Sequence, residues 1–310
     1  MAVDGAVIDI DLVVVGYIHK LVTRLHEAAI DPSTLAADVP VHRTKRPDWL
    51  GVALALALGV VVVIPLLVVA IWAVAEVWRY PSLLPQEFGF RFWEATLARP
   101  DVWNAMSLSL RLSVTVTLLS ALICLPAAYA FARLDFPGRN VLFLSFLTSH
   151  AFPKFGLLVA IAGIFLNLGL ISTFWGVVLI QLVGTLMMMI WIPVVAFQNV
   201  DRAMEEAARD AGAGPIRVFW SVSLPQAAPT IFAAVLLSFV GTFYETEGAW
   251  LIGAPEIRTM PVLMITYINN QIVVQYGAVL SVLLWVPSFI ALMFTRRLVG
   301  SGSFAKGFGV

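Results

Sequence analysis

Charge is what this 310-residue sequence has least of: 12% of its residues are Asp, Glu, Lys or Arg, about half the share of an ordinary soluble domain. The 19 basic residues balance the 19 acidic ones. That neutrality excludes a nucleic-acid binder, which needs a basic surface to displace counterions from phosphates. Cysteine is nearly absent. Cys124 stands alone inside an apolar run, so no disulfide framework or cysteine metal site can form within the chain. Of four histidines, His26 with Glu27 lacks the second histidine of a metalloprotease motif. The lysines are Lys20, Lys45, Lys154 and Lys306, and none closes a phosphate-binding Gly-x4-Gly-Lys-Ser/Thr loop. The sequence shows no catalytic constellation, which argues against an integral-membrane enzyme.

What fills the space is apolar residue, 60% of the chain with a mean hydropathy of +0.92. A bilayer-crossing helix needs about 20 mostly apolar residues. Six runs approach that length: 51–77, 102–131, 141–166, 174–197, 231–252 and 276–294. Prolines within them are tolerated, because neighbouring helices and water re-satisfy the freed backbone groups. The fold class expected is therefore an all-α integral membrane protein with six transmembrane helices. With the N-terminus inside, 13 of the 19 basic residues fall on the cytoplasmic side, so the positive-inside rule predicts both termini in the cytoplasm. Arg79, Arg91, Arg99, Arg111, Lys154 and Arg258 are the exceptions.

The chain divides on this reading into an N-terminal segment (1–50), a transmembrane domain (51–298) and a tail (299–310). Residues 12–29 are amphipathic, too interrupted by His19, Lys20, Arg24, His26 and Glu27 to span, and suited to the membrane interface. They serve either as a docking or regulatory helix or as a surface helix that positions the first span. A proline-bearing linker follows. The segment does not read as a secretory signal, since its basic residues come after the first apolar run.

The most informative segment is the loop 201–225. It is rich in helix formers, carries acids in its first turn and reaches glycine at Gly212, which predicts a short helix outside the membrane. A second helical stretch from Pro215 to Val222 leads back toward the bilayer through Pro225. The residues resemble the EAA loop of binding-protein-dependent ABC importer permeases: Glu206, Ala207 and Ala208, then Gly212 after three residues, then Val222 after nine, then Leu224 and Pro225. Val222 stands where the pattern has isoleucine. The resemblance extends over about 72–297, including YPSLLPQEFGF at 80–90 and AAYAFARLDFPGR at 127–139, and the six spans fit the maltose- and spermidine-type permeases.

That resemblance implies a coupling helix that sits in a cleft of a cytoplasmic ATPase, with Glu205, Glu206, Ala207, Ala208, Arg209, Gly212, Leu224 and Pro225 as its coupling residues. It also implies partners: a second permease subunit, two copies of an ATP-binding subunit that hold ATP and Mg, and an external solute-binding protein. The chain itself would bind no cofactor and no metal. Ionisable groups inside spans are costly and usually face a cavity or a partner. The candidate solute contacts are therefore His150, Lys154, Gln181, Tyr244, Glu245 and Glu247. Lys154 either lines a cavity or, with the helix broken at Pro153, snorkels or pairs with an acid. The Tyr244, Glu245 and Glu247 cluster either faces the path or forms a gate or ion pair with Lys154 or Arg258. Asn167 is a weaker candidate, and Met187 to Met189 read as packing. The solute expected is a carbohydrate or polyol, with a polyamine, thiamine or aminophosphonate as alternatives. An ion-gradient-driven secondary transporter is the alternative from another class.

Overall fold

The computed structural model describes residues 49–307, apart from 80, 149–152 and 271–272. The expectations for residues 1–48 and for His150 lie outside the described residues. The chain falls into two compact units, Met1–Gly59 and Val60–Val310. Of the first, the described part is the opening of helix α1 (Trp49–Val74). This helix has no charged residue and runs through Pro65. From Val60 to Ile64 and from Leu66 to Val68 its side chains are exposed, the all-round apolar surface expected of a helix in lipid.

A short antiparallel ribbon follows, β1 (Ala75–Val77) on β2 (Glu87–Phe88), with Ala75 opposite Phe88 and Val77 opposite Glu87. It is the one departure from an all-helical fold among the described residues. Helix α2 (Arg91–Leu97) then leads into α3 (Pro100–Arg133). Pro100 opens α3 where a missing N–H costs nothing. At 34 residues α3 is about 51 Å long. Small buried residues, Ala105, Ser109, Ser113, Ser120, Cys124, Ala128 and Ala132, form a seam along it at steps of four residues, with one step of seven. Such a seam lets another helix approach closely; Cys124 and Ala128 pack with Met189, Ile190, Val194 and Phe197 of α6 (Phe174–Gln198).

The third span differs from the sequence expectation. In place of one helix over 141–166 there are two, α4 (Arg139–Thr148) and α5 (Lys154–Asn167). Pro153 is the N-cap of α5, so Lys154 opens a helix, as in the alternative that breaks the span at Pro153. Pro153 itself has ψ 113°, outside helical geometry, and a new helix starts directly after it. The fifth span also differs from 231–252. After α7 (Arg202–Asp210), α8 (Pro215–Val218), a π-helical turn (Phe219–Ser223) and α9 (Leu224–Phe243) run on without a gap, and α10 (Glu247–Gly253) is separate. The polar residues Tyr244, Glu245 and Thr246 end α9. The last helices are α11 (Met260–Asn270), which hydropathy did not predict, and α12 (Val274–Gly307).

Among the described residues five helices are long and apolar enough to cross a membrane: Gly51–Val74, Pro100–Arg133, Phe174–Gln198, Pro215–Phe243 and Val274–Met293. Helix α5 is apolar but only 14 residues long, about 21 Å against a hydrocarbon core of about 30 Å. The core beside it gathers Leu112, Val116, Leu158, Val177, Ile180, Ala249 and Ile252. Met189 is fully buried, as packing requires, while Met188 is half exposed.

Candidate functional site

Two sites stand out, at the loop helix and at a cavity among the membrane helices. Helix α7 is defined by its ends. The Asp201 side chain accepts the Ala203 N–H at 2.9 Å, a conventional N-cap. At the other end Gly212 has φ +84°, and its N–H reaches the Arg209 carbonyl at 2.9 Å while that of Ala213 reaches Ala208 at 3.0 Å. This is the Schellman arrangement, and it needs a residue free to adopt positive φ.

The acids of α7 face different ways. Glu206, Ala207 and Arg209 are exposed, and Ala208 is half-buried. Glu205 is turned inward: its carboxylate lies 3.3 Å from Arg133 Nε and accepts the Ser223 hydroxyl at 2.6 Å. Arg209 lies one turn along, 3.9 Å from the other oxygen of Glu205. Glu205 is thus a buried anchor and no part of the open face. Leu224 is half-buried, and Pro225 is exposed at the start of α9.

The cavity, of about 320 Å³, is enclosed by α5, α6 and α9, and its lining includes Lys154, Gln181, Thr185, Ser238, Thr242 and Glu245. Glu245 organises its mouth. The carboxylate accepts the Gly248 N–H at 2.8 Å and the Ala249 N–H at 3.0 Å, so it caps the first turn of α10, and it accepts Gln181 Nε2 at 3.3 Å. Lys154 Nζ lies 3.7 Å from Glu245 and 3.1 Å from Glu247. Gln181 Oε1 and the Ser238 hydroxyl are buried and have no hydrogen-bond partner. Buried polar atoms are rarely left so, and both belong to residues that line the cavity.

The structure therefore brings together Lys154, Gln181, Glu245 and Glu247. It does not bring Tyr244 to them: that hydroxyl donates to the Leu284 carbonyl at 3.1 Å, and the residue lines a separate apolar groove with Trp285 and Phe289. Asn167 bonds the Gly163 carbonyl of its own helix. Arg258 bonds the Pro255 carbonyl, so the cation facing the two acids is Lys154. Sequence reasoning missed Arg133, Ser223, Thr185 and Ser238. No spacing signal announces them: Arg133 and Ser223 are defined by Glu205, distant in the chain, and Thr185 and Ser238 by the cavity they line.

A family model described as "binding-protein-dependent transport system inner membrane component" matches residues 34–300. The chain belongs to this family. The permease is 29% identical over 251 residues to a maltose/maltodextrin transport system permease protein of Photorhabdus laumondii, covering 73% of this chain and 83% of that one. It is 26% identical over 259 residues to a diacetylchitobiose uptake system permease protein of Streptomyces coelicolor, covering 81% and 86%. A solved bacterial ABC transporter involved in the import of alginate, an acidic polysaccharide, shares the fold at a TM-score of 0.62 and 17% identity, over 81% of this chain and 96% of that one. The protein is thus a multi-pass membrane permease subunit of an ABC importer, and the secondary-transporter alternative is set aside.

Proposed function

We propose that the permease passes a neutral, hydroxyl-rich solute, an oligosaccharide, through a path that includes the cavity among α5, α6 and α9. The observation that carries this reading is the pairing of Lys154 with Glu245 and Glu247 at 3.7 and 3.1 Å. Those two acids were the case for a cationic solute such as a polyamine, and a lysine already faces both. The other polar side chains of the cavity lining are neutral: Gln181, Thr185, Ser238 and Thr242. Groups of this kind suit sugar hydroxyls. The maltodextrin and diacetylchitobiose transport named for the relatives supports the same class.

In this account α7 is the helix that meets the ATPase subunit, through Glu206, Ala207, Ala208 and Arg209, and Glu205 and Gly212 hold its position and end. Two ATP-binding subunits carry ATP and Mg, a second permease completes the pathway, and an external binding protein delivers solute. Both termini lie in the cytoplasm, in keeping with the 13 basic residues on that side. The test is uptake by the whole complex in proteoliposomes with its binding protein. ATP-dependent accumulation of labelled maltotriose or diacetylchitobiose, with none of spermidine, is the expected result. Uptake of spermidine and neither sugar would overturn the reading.

A further inference from the structure

We propose that Arg133 is a positioning residue through which movement of α7 reaches the membrane-spanning helix α3; the proposal rests on the reading of α7 as the ATPase contact. Arg133 closes α3 and its side chain is almost wholly buried. One arm of the guanidinium donates to the Val200 carbonyl at 2.6 Å, where the chain leaves α6 for α7. Its Nε lies 3.3 Å from Glu205 of α7, a charge contact in which the Nε–H makes no hydrogen bond. The same carboxylate oxygen accepts the hydroxyl of Ser223 at 2.6 Å, and Ser223 is fully buried. One buried charge pair thus joins the end of α3, the exit from α6, the loop helix and the start of α9.

The geometry around the pair makes the junction stiff. One turn back along α3, the Tyr129 ring meets Phe197 of α6 edge-on at 5.3 Å and Phe219 of the π-helical turn at 4.9 Å. An aromatic layer therefore lies next to the polar one, and both tie the same elements. The π-helical turn Phe219–Ser223 puts one extra residue into the approach to α9, as such bulges do, and Ser223, which bonds Glu205, is its last residue. Separating α7 from α3 would strand a carboxylate and a guanidinium away from water, which is strongly unfavourable. Displacement of α7 therefore carries the end of α3 with it. A planar guanidinium can hold the carbonyl and the carboxylate at once, whereas a lysine offers a single ammonium.

The test uses the complete importer in proteoliposomes, with ATP hydrolysed per solute moved as the readout, a ratio that a purely structural role would leave unchanged in assembled complexes. Arg133→Gln should retain co-purification of the ATPase subunits and raise the ratio by about tenfold. Arg133→Lys should raise it by about threefold or less, and Ser223→Ala, which weakens the link from the α9 side, by a similar factor. An unchanged ratio in assembled Arg133→Gln complexes overturns the proposal. If that variant does not assemble, unchanged ratios in both Arg133→Lys and Ser223→Ala overturn it equally. Ala207→Trp on the open face separates the two levels. Loss of ATPase co-purification there with a normal ratio in Arg133→Gln sinks this inference alone, while normal behaviour of both variants removes the docking reading of α7 as well.

Discussion

Glu245→Gln is the substitution whose consequence can be worked most fully. The carboxylate is mostly buried and accepts two backbone N–H groups of α10, at 2.8 and 3.0 Å. Glutamine keeps the shape, but its NH2 cannot accept, so one of the two N–H groups is left facing a donor. A hydrogen bond to a charged acceptor contributes about 1.5–3 kcal/mol. The loss of the Lys154 contact adds little, because that lysine is more than half exposed and keeps Glu247 at 3.1 Å. The total of about 2–3 kcal/mol corresponds to a local opening of α10 favoured by about 30- to 150-fold. Hydrogen exchange measured on peptides covering Glu247–Gly253 should accelerate by that factor, with peptides covering Arg202–Asp210 unchanged. Equal exchange in wild type and variant would refute the assignment of Glu245 as the cap of α10. Since Gly248 packs against Ile180 of the cavity wall, sugar uptake should fall in the same variant.

Three further outcomes follow from named contacts. Lys154→Met removes the cation that faces Glu245 and Glu247, so spermidine should inhibit sugar uptake by the variant and not by wild type; no inhibition in either would place this ion pair off the path. Gly212→Val forces a branched residue to φ +84°, a backbone cost of about 1–2 kcal/mol, and since a Cβ there meets no neighbour the strain is confined to the cap. Membrane insertion should be intact and ATP hydrolysis uncoupled from uptake, whereas normal transport would count against the role of the α7 cap. Tyr267 donates to Asp101 at 2.9 Å, and burial, then the Asp101 carboxylate, push its phenol up to about 12. A raised folded value means that this bond's contribution is complete below the unfolded value of about 10 and is lost as pH rises through 12. Tyr267→Phe should therefore cost about 1 kcal/mol of stability at neutral pH and leave uptake unchanged; thermal unfolding and transport assays check both.

The sequence was legible wherever a single local property decides the outcome. Apolar runs marked α1, α3, α6 and α12 because nothing else in the chain competes for the bilayer, and Glu206, Ala207, Ala208 and Gly212 announced α7 through their spacing and the glycine end. Residues whose role depends on a distant partner were opaque. Hydropathy carried the fifth span through to residue 252, but Glu245 caps a new helix at Gly248 and Ala249, and averaging over a window hides such a break. Helix α11 escaped because it is 11 residues long, although Met260, Leu263 and Tyr267, which it buries at three- and four-residue steps, carry a helical period. Glu205 looked like the twin of Glu206. Only the folded positions of Arg133 and Ser223 show that it points inward.

The measurement that tests the central claim most directly is a cross-link from α7 to the ATPase. The native thiol, Cys124, is buried, so introduced cysteines can be addressed individually. In the complete importer, Glu206→Cys and Ala207→Cys should cross-link to the ATP-binding subunit with a short thiol-reactive linker. Leu83→Cys, which is 92% exposed in the loop between β1 and β2, should not. Labelling of the ATPase from Leu83 and not from Glu206 or Ala207 would contradict the account.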